Sequence, residues 1–117
     1  MLALGALAMS SVLLVGCSAP DGPVAIQTDT QSHEACLLVG FGGVLVADQT
    51  YGLALRGTGV IWPVGYSARR EGGKIVLLDP AGNIVAREGD LVSMGNPPEN
   101  GIVHPCTPIE VPATAQP

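Results

Sequence analysis

Apolar and polar positions divide the chain into four stretches. Met1 to Val15, MLALGALAMSSVLLV, is apolar without a single charge and lacks the one-sided period of a surface helix. Ser18 to Glu34, SAPDGPVAIQTDTQSHE, is polar and proline-bearing, with no apolar run longer than "VAI". A segment of that kind cannot bury enough surface to offset its ordering entropy, which predicts a flexible spacer. From Ala35 to Glu110 short β-branched runs recur with turn signals at intervals of about ten residues. The end, TPIEVPATAQP, is again rich in proline and poorly able to enter a central strand.

Within the third stretch the periods are those of strands. In "CLLVGFGGVLVAD" Leu37, Val39 and Phe41 share one parity and Val44 and Val46 take the other, so a bulge at Gly42 and Gly43 is expected to shift the register by one. "YGLALR" puts Tyr51, Leu53 and Leu55 on one face. "GVIWPV" is a short strand that Pro63 ends or puts at an edge. "KIVLLDPAGNIVARE" reads as a hairpin: Pro80 suits the second position of a type I turn, and Gly82 can take the left-handed conformation of a following bulge. "GDLVSM" and "GIVHPC" supply two more strands around an Asn96–Asn100 loop. Six or seven short strands with a bent first one predict an all-β fold, a small barrel of OB-like or SH3-like kind.

The expected organisation is therefore a signal peptide over 1–16, a tether over 17–34, a β-domain over 35–110 and a disordered tail over 111–117. At 15 residues the opening run falls short of the roughly 20 needed to span a bilayer, and it has the length of a signal-peptide apolar region. No Lys or Arg precedes it, where signal peptides ordinarily carry one, which leaves room for a start upstream. At its end Leu14-Val15-Gly16-Cys17 resembles the lipobox of bacterial lipoproteins. The resemblance implies that the small Gly16 admits the signal peptidase, that the Cys17 thiol receives diacylglyceryl, and that a further acyl group such as palmitate joins its amine. Two or three chains anchor stably, whereas one binds only marginally. The expected location is the cell membrane or outer membrane, facing the periplasm or exterior. A second likeness covers the middle of the chain: Trp62 to Asp90 resembles stretches in small exported bacterial proteins, and it implies no activity.

Charge narrows the function classes. All ten acidic and all five basic residues follow Cys17, so the net charge of −5 belongs to the part beyond the signal segment. An acidic domain is a poor partner for nucleic acid. The partners expected are the membrane, through the anchor, and an envelope protein or glycan.

Three groups of side chains are candidates for chemistry. With Cys17 assigned to lipid, Cys36 and Cys106 remain at the two ends of the domain. In an exported compartment they can form a disulfide worth about 4 kcal/mol in the chain-entropy model. Alternatively, His33-x-x-Cys36 and His104-x-Cys106 make a Cys2His2 set suited to zinc or copper. Compartment favours the disulfide, and no cofactor is expected. The second group, Trp62, Tyr66, Arg69 and Arg70, could stack on and ion-pair with a planar or anionic ligand, although a lone tryptophan in a small domain is more often core. The third is acidic: Asp48, Asp79, Glu88 and Asp90 could serve a hydrolase of envelope polymers, yet each sits where a turn accounts for it. No serine lies in a G-x-S-x-G elbow. Gly40-Phe41-Gly42-Gly43 precedes a strand rather than a helix, so no phosphate cradle is expected. The reading that follows is a non-catalytic binding or structural module on a lipid anchor, ahead of a metal-binding envelope protein and then a hydrolase.

Overall fold

The computed structural model describes residues 20–31 and 40–112. The signal segment, Cys17, His33, Cys36, Leu37, Val39 and the last five residues lie outside them.

The described residues form an all-β fold, with ten strands in three sheets. In chain order they are β1 (Gly22–Val24), β2 (Gly40–Asp48), β3 (Gly52–Leu55), β4 (Gly59–Val60), β5 (Ser67–Glu71), β6 (Lys74–Leu78), β7 (Ile84–Arg87), β8 (Leu91–Gly95), β9 (Ile102–Val103) and β10 (Cys106–Glu110). One sheet runs β1-β5-β6-β7, a second β10-β8-β2-β3, and β4 pairs with β9 in parallel. No closed barrel is found among the described residues.

The β6–β7 hairpin forms as the sequence predicts. Asp79 N donates to Asn83 O and Gly82 N to Asp79 O, both at 2.9 Å, while Gly82 sits at φ +88°. The Asp79 side chain adds to the turn by accepting from Ala81 N and Asn83 N. The bulge expected at Gly42 and Gly43 is absent. β2 meets β8 in unbroken register from Gly40↔Gly95 to Val44↔Leu91, and it pairs with β3 from Leu45 onward. Phe41, Gly43 and Leu45 thus keep one parity, and Leu45 is fully buried.

The expected tether is partly fold. β1 lies antiparallel on the edge of β5, and beyond it Trp62 N donates to Gln27 O and Asp29 N to Trp62 O, both at 2.8 Å. Gln27 N also donates to Tyr51 O at 3.2 Å. This strap crosses β3 so closely that a Cβ on Gly52, itself at φ +80°, would collide with the Ala25 carbonyl. The core is built between the sheets from one row of β1-β5-β6-β7, Val24, Ala68, Leu77 and Ala86, and from Leu45, Leu53, Leu55, Val60, Trp62, Val92 and Val103. The opposite row of the first sheet exposes Pro23, Arg69 and Arg87, while Val76, between the two arginines, is buried.

Candidate functional site

Four side chains are linked at one place, Asn96, His104 and Cys106 from one short stretch and Asp29 from far along the chain. Asp29 is held there by the strap, His104 by the end of β9, Cys106 by the start of β10, and Asn96 by the turn after β8. Asn96 adopts φ +79°, a left-handed conformation that asparagine tolerates better than most residues. From it the side-chain amide donates to His104 O at 2.9 Å and to Cys106 Sγ at 3.2 Å. His104 Nδ1 lies 3.3 Å from both carboxylate oxygens of Asp29. The histidine side chain is 41% exposed and the aspartate 16%, so the pair sits at the surface with its carboxylate end sunk. A carboxylate beside one ring nitrogen orients an imidazole and leaves the other nitrogen to act. Asp29 was not among the residues the sequence singled out. It lies 75 positions from His104, and no local spacing announces the pair.

Of the proposed metal set, His104 and Cys106 are adjacent to this place, while His33 and Cys36 fall outside the described residues. Among the described residues no group of three or more His, Cys, Asp or Glu side chains is arranged to hold a metal ion.

The aromatic and arginine cluster is dispersed. Trp62 is fully buried, its indole N–H donates to Leu53 O at 2.8 Å, and no ring face is open to a ligand. That corrects the expectation of Trp62 as a ligand-binding side chain: its large apolar surface is worth more in the core. Tyr66 packs partly buried against the core, and burial together with the Asp79 carboxylate raises its phenol above the usual tyrosine range. Arg69 faces outward and pairs with Glu71 at 3.2 Å. Arg70 lies on the other face, lining a shallow cleft of about 280 Å³ with Val24, Asp48 and Ile75.

Each acidic candidate closes a turn or a ladder end. Asp48 accepts from Thr50 N and Tyr51 N, both at 2.8 Å. Glu88 accepts from Ile75 N at 3.0 Å, and Asp90 accepts from Arg87 N at 2.9 Å. A second surface cleft, about 610 Å³, runs along β7 and the start of β8, lined by Ile84, Val85, Leu91 and Val111 with Arg87 and Asp90 at its rim.

No protein-family model, curated protein or solved structure matches the chain.

Proposed function

We propose that the chain is a lipid-anchored envelope protein whose β-domain is a non-catalytic binding or structural module. The observation that carries this reading is Leu14-Val15-Gly16-Cys17 at the end of an uncharged apolar run. Support for a module comes from the side chains themselves, since all four acidic candidates are committed to backbone amides at turns or ladder ends. Intact mass of the chain extracted from membranes tests the anchor. A species beginning at Cys17 with two or three acyl chains is expected, and a mature species retaining residues 1–16 or lacking lipid overturns the reading.

The domain is stapled, on this proposal, by Cys36 to Cys106. Cys106 opens β10 and is buried. Cys106 and Gly40 also flank the same residue, Gly95, from opposite sides, so Cys36 begins four residues from a strand two ladders away from Cys106. The finer architecture we propose is a small barrel of OB-like or SH3-like kind, supported by β2, whose two halves pair with different strands.

A zinc or copper site on His33, Cys36, His104 and Cys106 is the second reading. It is favoured by the Asp29 carboxylate beside His104, the outer-shell arrangement that metal-bound histidines ordinarily have. It requires Cys106 as a thiolate. Two reactive thiols with bound metal in the untreated protein would put this reading first.

A further inference from the structure

On the lipid-anchored reading, the docking of β1 decides which side of the domain meets the bilayer. Cys17 precedes Asp21 by four residues, a reach of at most about 14 Å even fully extended. Asp21 is fixed, because its Oδ1 accepts from Gly72 N at 3.0 Å and Gly22–Val24 run on as the edge strand of β5. The lipid would therefore attach beside the β5–β6 turn, and not at the far end of a long spacer.

Charge favours the same side. Three of the five cationic residues, Arg69, Lys74 and Arg87, stand on the outer face of the first sheet, while Arg70 lies on its inner face. Glu71 and Asp21 stand beside the outer three, and elsewhere in the chain eight acidic residues face only two cations, Arg56 and Arg70. An acidic body held within about 14 Å of an anionic leaflet is repelled least when this face is the one presented. The outward row places Arg69 and Arg87 on either side of Val76, and Lys74 stands opposite Glu71 at the turn. Lys74 is exposed, and the Arg69–Glu71 pair has side chains 48% and 42% exposed, so it gives up little on exchange for a phosphate.

We infer that the outer face of β5 and β6, led by Arg69 and Lys74, is a membrane-contacting surface that takes anionic lipid headgroups. The inference rests on lipidation of Cys17, and the experiment separates the two. Lys74 is the only lysine in the chain, so amine modification reports on one side chain. The lipidated full-length product is extracted, its mass is recorded, and it is reconstituted in phosphatidylcholine vesicles, whose headgroups carry no reactive amine, with or without phosphatidylglycerol. It is then treated with a membrane-impermeant amine reagent, with the extent at Lys74 read by peptide mass spectrometry. Labelling on the phosphatidylglycerol vesicles should be about fivefold slower than in detergent, the equivalent of the ~1 kcal/mol a cation gains at an anionic leaflet. Molar salt and the R69E/R87E double variant should each restore the rate. Equal rates on lipidated protein overturn the surface and leave the anchor standing. A mass without lipid overturns both.

Discussion

Trp62 and Leu53 are joined inside the core: the indole Nε1–H donates to the Leu53 carbonyl at 2.8 Å, with both residues fully buried. The bond ties the segment after β4 to β3 and satisfies a carbonyl that water cannot reach. Trp62→Phe keeps most of the ring's apolar contact but strands that oxygen, and should cost about 1–3 kcal/mol. Trp62→Ala should cost about 3–5 kcal/mol. Urea midpoints followed by far-ultraviolet circular dichroism check both values, and a Trp62→Ala change within error of wild type would place the side chain outside the core.

Gly52 is the position where the strap comes closest to the sheet. An alanine there meets the Ala25 carbonyl and must also hold φ +80°. Gly52→Ala should lose about 2 kcal/mol or more, because neither the backbone nor the strap can yield without breaking the hydrogen bond from Gln27 N to Tyr51 O. The neighbouring change Gly57→Ala, also at positive φ but with open space around its Cβ, separates the two effects. It should cost only the conformational part, about 1 kcal/mol.

Asp79 holds the β6–β7 turn and faces Tyr66. Asp79→Asn should weaken the turn by about 1 kcal/mol. It should also bring the Tyr66 titration down toward the ordinary value while leaving the burial contribution in place. A raised phenol pKa favours the protonated ring in the folded state, so the stability it contributes is complete below about pH 10. That contribution is lost as pH rises through the folded pKa. Proton-coupled NMR shifts of the Tyr66 ring in the two proteins measure the change, and an identical titration in Asp79→Asn would remove the carboxylate as a cause.

The proposed staple predicts a redox-dependent stability. Reduction, or Cys106→Ala, should lower unfolding free energy by up to about 4 kcal/mol. Urea titration with and without reductant is the measurement; coincident curves would count against a bond between Cys36 and Cys106. Asn96→Gly provides a milder perturbation of the same corner. It keeps the positive φ available while removing the amide that bonds His104 O and Cys106 Sγ, and should cost about 1–2 kcal/mol.

What could be read from the sequence was the local part of the fold. The β6–β7 hairpin carries its turn residues beside the strands they join, and Leu53 and Leu55 carry their shared face in their spacing. β1 and β5 escaped because their evidence is remote. Gly22-Pro23-Val24 has one strong strand former and a proline, and it becomes a strand only as an edge added to β5. β5, Ser67-Ala68-Arg69-Arg70-Glu71, turns Ser67, Arg69 and Glu71 outward and offers the core only a small Ala68, so its hydrophobic signal is weak. The glycine pair in β2 misled for a related reason: the strand passes from β8 to β3 at Leu45 without an inserted residue, and parity alone does not reveal a change of partner. Asp29 beside His104 depends on the strap having first docked against Trp62.

The divided pairing of β2 also bears on how quickly the chain finds its structure. Its second half meets β3 across a tight turn, a closure that a few residues complete in microseconds. Its first half waits for β8, which must bring residue 91 back to residue 44 after the intervening strands have formed. Such distant closures carry a loop entropy that nearby contacts do not repay in advance. The β2–β3 hairpin is thus the natural early element, and the arrival of β8 sets the pace.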